Sequence, residues 1–191
     1  MVKSRDRLTF VSTNPGKARE VREILAPYEI DVRWKRRLLP EPQAADLETV
    51  ARSKLAAVGD LHGYVLVEDS GLFIDSLAGF PGVYSAHFLT AWGFGPMLEL
   101  LRHRSRRARF RAVAGLRLGS RTWTFPGEVE GKIAPRARGA HGFGYDPIFI
   151  PLGEKHTFGE LPVETKNRRS HRYQAIRGVG EFIQRRRTRR R

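Results

Sequence analysis

Tyr64-Val65-Leu66-Val67-Glu68-Asp69-Ser70-Gly71 is the stretch whose reading decides the fold. Residues 64–67 make a compact apolar run of strand length, and it passes directly into two acids and a Ser-Gly turn. Carboxylates at the end of a buried strand need a reason, since Asp and Glu are almost never fully buried without a partner. Upstream, residues 8–12 form a short β-prone run that stops at Thr13-Asn14-Pro15-Gly16, and residues 17–25 place Val21, Ile24 and Leu25 on one helical face. Residues 30–34 read as a second strand. Asp46, an N-cap with Thr49 three residues on, opens a helix carrying Leu47, Val50, Ala51 and Leu55.

Downstream, residues 109–118 alternate, with Phe110, Ala112, Ala114, Leu116 and Leu118 on one face and Arg109, Arg111 and Arg117 on the other. Residues 123–129 follow after Gly119-Ser120, so the pair reads as a long hairpin. Residues 135–147 are rich in glycine, and from Lys166 the chain reads as one helix running toward Gln184, with Ser170-His171-Arg172 near its start. Early βα units and a later antiparallel element together predict a mixed α/β fold.

At 191 residues and 40% hydrophobic content the chain can bury a real core, as one large domain or two tightly packed lobes. Without repeats or low-complexity linkers, residues 1–184 are expected to be a single domain. No stretch approaches the roughly 20 apolar residues that span a bilayer, and the charged first residues precede no signal region, so a soluble, cytoplasmic protein is expected. The absence of cysteine excludes disulfides, thiolate metal sites and a cysteine nucleophile. The net charge of +15 owes six units to Arg185, Arg186, Arg187, Arg189, Arg190 and Arg191, and residues 185–191 are expected to form a disordered basic tail. The remaining excess favours any polyanion, which keeps a basic nucleic-acid-binding module, acting through that tail, as an alternative function.

Four constellations carry chemistry. Ser12-Thr13-Asn14-Pro15-Gly16-Lys17 joins a strand to a helix N-terminus, where unsatisfied N–H groups attract phosphate and Lys17 adds a charge; it lacks Walker A spacing, and a plain connection is the alternative. Glu68 and Asp69, with Glu41 upstream, offer hard oxygen ligands for Mg²⁺ and a proton acceptor for an attacking water, or else are solvated loop acids. In Gly142-Phe143-Gly144-Tyr145-Asp146-Pro147 the aromatics can lie against a base while Asp146 reads hydrogen-bonding edges, unless the segment is a tight turn closing a core. Lys166 and Ser170-His171-Arg172 concentrate donors that could neutralise a polyphosphate or bond a base carbonyl, or form a solvated basic helix.

The order of these motifs resembles the inosine triphosphate pyrophosphatase family, which acts on noncanonical purine nucleoside triphosphates. The resemblance is carried by Thr13-Asn14-Pro15-Gly16-Lys17 with Glu20, by Leu39-Pro40-Glu41, and by Val67 to Gly71 continuing into Gly79-Phe80-Pro81-Gly82-Val83-Tyr84-Ser85. It continues in residues 142–147 and in Lys166-Asn167 with Ser170-His171-Arg172, covering about residues 8–182. The resemblance implies an elongated α/β fold with a mixed sheet and two lobes around a central nucleotide-binding cleft, usually a homodimer. It implies Mg²⁺-dependent cleavage of ITP, dITP and XTP between the α and β phosphates. By position, Ser12, Thr13, Asn14, Gly16 and Lys17 would hold the triphosphate, Glu41 and Asp69 the metal, and Asp69 would be the catalytic proton acceptor. Ser70 would touch substrate and Phe143 would stack on the base. Gly144 would lie beside it, and Tyr145, Asp146, Lys166, His171 and Arg172 would complete base and phosphate recognition. Glu68 stands where many relatives carry aspartate and Tyr145 where some carry tryptophan. Lys54 lies near the register of a family lysine but outside the assigned site.

Overall fold

The computed structural model describes residues 6–189. In chain order the elements are β1 (Asp6–Val11), α1 (Pro15–Leu25), β2 (Ile30–Lys35), α2 (Leu47–Ala57), β3 (Tyr64–Ile74), β4 (Pro81–Gly82), α3 (Ser85–Trp92) and α4 (Gly95–Leu100). They continue with β5 (Arg107–Leu118), β6 (Arg121–Ile133), β7 (Phe149–Pro151), α5 (Val163–Arg169) and α6 (His171–Thr188). The strands form a mixed sheet of order β2-β1-β3-β5-β6-β7, with β4 on β3. β1 pairs in parallel with β2 and with β3, while β3–β4 and β6–β7 are antiparallel.

Local chemistry starts these elements where the sequence says. Asn14 Oδ1 accepts from Lys17 N at 3.1 Å and Pro15 occupies the first turn of α1, so an orphan amide is capped and a residue without one fills the adjacent place. Asp46 caps α2 in the same manner through Thr49 N at 2.8 Å. Gly119, at φ 60°, supplies the left-handed turn of the β5–β6 hairpin.

The chain divides into two units, whose described residues are 6–69, 113–127 and 172–189 in the first, and 70–112 and 128–171 in the second. The division falls within β3, β5 and β6, which pass from one unit into the other. The first unit buries Val11, Leu55, Val58, Val65 and Val67 together. The second buries Leu72, Ile74, Met97, Phe110, Phe149 and Phe158. Each such side chain contributes about 1.5–3 kcal/mol of burial free energy.

Three expectations are corrected. β3 does not stop before the acids but continues to Ile74, so Glu68 and Asp69 lie within the strand, 3% and 7% exposed. Strand pairing beyond them is possible because Gly71 has no Cβ; one would stand 2.2 Å from the Gly82 carbonyl oxygen on β4. The helix read from Lys166 onward is two helices, parted at Ser170, whose ψ of 155° is extended and cannot continue α5. The basic tail is also shorter than expected, since α6 reaches Thr188. Arg187 pairs with Asp6 at 2.9 Å and Glu29 at 3.6 Å, and the Arg186 guanidinium lies 5.4 Å from the Trp123 ring centroid. These contacts offset the like-charge repulsion that the sequence alone suggests; Arg190 and Arg191 lie outside the described residues.

Candidate functional site

In the first unit the residues after β1 form a tight polar turn. Ser12 N donates to the Lys35 carbonyl at 3.3 Å and Asn14 N to Ser12 Oγ at 3.1 Å, while Ala18 N reaches the Asn14 carbonyl at 3.2 Å. The turn thus consumes its own polar side chains in holding its shape. Thr13, Gly16 and Lys17 complete this turn, Thr13 exposed and Gly16 and Lys17 half-buried.

Lys17 Nζ lies 2.6 Å from Glu68 Oε2, and the other oxygen, Oε1, accepts from Arg172 Nε and Nη2, both at 3.1 Å. Arg172 Nη1 meets Glu20 Oε2 at 2.6 Å. α1, β3 and α6 are therefore joined by a buried chain of alternating charge, Lys17–Glu68–Arg172–Glu20. Arg172 is 2% exposed, so its guanidinium serves first as an internal counterion. Beside this chain Lys54 Nζ, from α2, sits 2.6 Å from Asp69 Oδ1 and 2.7 Å from Glu41 Oε1. Glu41 is brought in from an irregular segment before α2.

Electrostatics follow from burial. Desolvation lifts the Asp69 carboxyl above its ordinary range and Glu68 adds to the rise, while Lys17 and Lys54 oppose it without cancelling it. Burial disfavours the Lys54 ammonium, but Asp69 and Glu41 outweigh that and hold its proton more tightly than usual. Lys17, Lys54 and Arg172 are thus paired with the carboxylates of Glu20, Glu41, Glu68 and Asp69.

Glu41 and Asp69 converge on one cationic nitrogen, which shows that their oxygens can share a cation. Among the described residues no group of three or more His, Cys, Asp or Glu side chains is arranged to enclose a metal. Two carboxylates suit Mg²⁺, which keeps several waters and completes its shell with substrate phosphate.

In the second unit Asp146 organises the glycine-rich segment. Its Oδ2 accepts from Phe143 N at 2.7 Å and from Lys166 Nζ at 2.7 Å, and that ammonium lies 4.8 Å from the Phe143 ring centroid. Gly142, at φ 77°, is required here, since a Cβ would fall 2.1 Å from Asp146 Oδ2. Asp146 and Lys166 are buried and face one another, whereas Phe143 is half-buried and Gly144 exposed. Tyr145 is a core residue: its hydroxyl donates to the Ser85 carbonyl at 2.8 Å, and burial pushes its pKa up. His171 stacks on Phe110 with centroids 4.6 Å apart and planes at 11°. Ser70 is half-buried in β3.

The expected site residues thus fall into two sets: Ser12, Thr13, Asn14, Gly16, Lys17, Glu41, Asp69 and Arg172 in the first unit, and Ser70, Phe143, Gly144, Tyr145, Asp146, Lys166 and His171 in the second. Lys54, outside the expected site, pairs with both expected metal ligands. Its nearness to the register of a family lysine is the one sequence signal that points to it, and Lys54 is buried on α2.

On a mixed α/β sheet, alternating charges thus stand beside a polar turn that opens a helix. Residues 8–182 match the sequence model of the Ham1 family, and the chain belongs to that family. Relatives include the dITP/XTP pyrophosphatase of Pyrococcus horikoshii, 40% identical over 179 residues covering 93% of this chain and 96% of that protein. The protein of the same name from Methanopyrus kandleri is 44% identical over 179 residues, 92% of this chain and 95% of its own. Among solved structures, the Ham1 protein of Staphylococcus aureus superposes with a TM-score of 0.79 at 30% identity, covering 93% of this chain and 97% of its own. That of Coxiella burnetii gives 0.76 at 30% identity, with 93% and 98% covered.

Proposed function

We propose that this protein hydrolyses noncanonical purine nucleoside triphosphates, ITP, dITP and XTP, to the nucleoside monophosphate and pyrophosphate, using Mg²⁺, and so removes them from the nucleotide pool. The observation that carries this reading is the pair Glu41 and Asp69 gathered around a single cation position beside the turn of residues 12–17. The names of the relatives supply the substrate class.

The chain's residues divide the work. The turn amides and Lys17 bind phosphate oxygens, with Lys17 oriented by Glu68. Glu41 and Asp69 would hold the metal, which would supply positive charge opposite the phosphates. Asp69, lifted above the ordinary carboxylate range by burial, takes the proton of the attacking water. Water adds at phosphorus, the α–β bridging oxygen leaves with the other phosphate group, and no covalent enzyme intermediate is needed. Positioning and charge neutralisation supply most of the acceleration in such chemistry.

Phe143 offers its face to a base, with Asp146 and Lys166 fixing the segment behind it. A donor aimed at the 6-oxo group meets another donor in adenine, which costs about 1–3 kcal/mol per unpaired buried group. A homodimer acting in the cytoplasm completes the proposal, on the family resemblance. Nucleic-acid binding through the tail draws less support, since Arg186 and Arg187 are engaged within the fold.

The test is a panel of ITP, dITP, XTP, ATP and GTP with purified protein, each with Mg²⁺ and with chelator. Rapid Mg²⁺-dependent loss of ITP and XTP with ATP largely spared supports the reading; folded protein that leaves both intact refutes it.

A further inference from the structure

We infer that Trp34 is a positioning residue for phosphate binding: its indole locks the Ser12–Thr13 peptide so that the Thr13 amide faces the bound triphosphate. The inference rests on the proposed role of the turn at residues 12–17, and it concerns a side chain that takes no part in the chemistry.

Trp34 lies near the end of β2, beside β1, and its Nε1 donates to the Ser12 carbonyl oxygen at 2.8 Å. The backbone on the same stretch holds the other side of Ser12, whose N donates to the Lys35 carbonyl at 3.3 Å. Ser12 is thus gripped at its amide by the sheet and at its carbonyl by a side chain. Beyond Ser12 the chain leaves the strand, and among the described residues no backbone amide bonds that carbonyl. The indole therefore takes over where the sheet ladder ends.

A trans peptide is planar, and its C=O and N–H point in opposite directions. A carbonyl drawn toward Trp34 consequently turns the Thr13 N–H away from β2. Among the described residues no hydrogen-bond acceptor is found for the Thr13 amide, nor for that of Gly16, the second donor of the turn. Asn14 N and Lys17 N are consumed by Ser12 Oγ and Asn14 Oδ1. The open donors of the turn are therefore these two amides, and one of them owes its direction to the indole. Were the Ser12–Thr13 peptide to flip, a carbonyl dipole would replace a donor opposite an anion, and the change would oppose binding twice over.

The bond also accounts for a residue type that the strand does not otherwise need. Trp34 is half-buried at the edge of the sheet, between exposed Arg33 and Lys35. An indole N–H drawn in from water takes a protein partner, and here the partner is the last carbonyl before the turn.

The experiment compares Trp34→Phe, which keeps the ring and removes the donor, with Trp34→Gln, which loses ring packing and restores a side-chain N–H. Steady-state ITP hydrolysis, thermal unfolding, and calorimetric titration with inorganic triphosphate are measured on both and on the unaltered protein. An amide that contacts phosphate equally in ground and transition states changes KM and leaves kcat alone. The expected result is a KM raised about tenfold in Trp34→Phe, on the scale of one charge-assisted hydrogen bond, with kcat within about twofold, an unchanged melting temperature and triphosphate affinity weakened in parallel. Trp34→Gln should recover affinity despite a lower melting temperature. Unchanged KM and triphosphate affinity in Trp34→Phe overturn the inference. So does a loss that follows stability in both variants, because Trp34 is then a packing residue. If the unaltered protein binds triphosphate but cleaves no nucleotide, the proposed function fails while the calorimetric comparison still decides the role of Trp34.

Discussion

The ammonium of Lys54 stands 2.6 Å from the carboxylate of Asp69, and both side chains are buried. Glu41 shares the same nitrogen at 2.7 Å. Lys54→Met removes the ammonium that Glu41 and Asp69 share and should cost about 3–5 kcal/mol of stability, as breaking a buried pair does. Mg²⁺ should restore part of that loss, so thermal unfolding of the variant should respond to Mg²⁺ more strongly than that of the unaltered protein. An equal or smaller response would show that Glu41 and Asp69 do not share a metal.

Asp69→Asn removes the proton acceptor while keeping the shape of the side chain. Activity on ITP should fall by about 10²–10⁴-fold, the usual contribution of a general base. Circular dichroism and gel filtration should show an intact fold. Retention of more than a tenth of kcat would assign the base elsewhere.

The pH dependence follows from the direction of the Asp69 shift. Its folded pKa lies above the ordinary value of 3.8, so the fold binds this proton more tightly than the unfolded chain does. In metal-free protein the cost of ionising it appears as pH rises from 3.8 through the raised value. The free base appears over the same window. The acid limb of kcat/KM at low, subsaturating Mg²⁺ should therefore lie above the usual carboxylate range and shift further up in Lys54→Met, since Lys54 is one of the groups that lower it. A limb that stays in place when Lys54 is replaced would contradict this assignment.

Gly142→Ala places a methyl group where Asp146 Oδ2 now lies, at a backbone φ of 77°. The bonds from Phe143 N and Lys166 to that oxygen should be lost together. KM for ITP should rise several-fold, by roughly the two hydrogen bonds disturbed, while inorganic triphosphate should bind as before. A parallel loss of triphosphate affinity would mean that the segment acts on phosphate rather than on the base.

The parts of the fold that were legible in the sequence are those decided by neighbours in the chain. Asn14 and Asp46 cap helices through residues three positions on, and Gly119 turns a hairpin whose alternation is visible in residues 109–118. What could not be read depends on remote partners. Glu68 and Asp69 remain within β3 because Lys17, Lys54 and Arg172, from three different helices, neutralise them there. Without those partners two adjacent acids look like the end of a strand. The same holds for the end of α6, where Asp6 and Glu29 meet Arg187 from the far end of the chain. Candidate side chains were found by type and order. Their division into partners and supports required geometry, as with Asp146 and Tyr145, which face inward.

Mg²⁺-dependent cleavage at the α–β anhydride is decided by ³¹P NMR of the products formed from ITP. IMP and pyrophosphate are expected in equal amounts, formed only when Mg²⁺ is present and abolished in Asp69→Asn. Inosine diphosphate with orthophosphate, or turnover unaffected by removal of the metal, would contradict it.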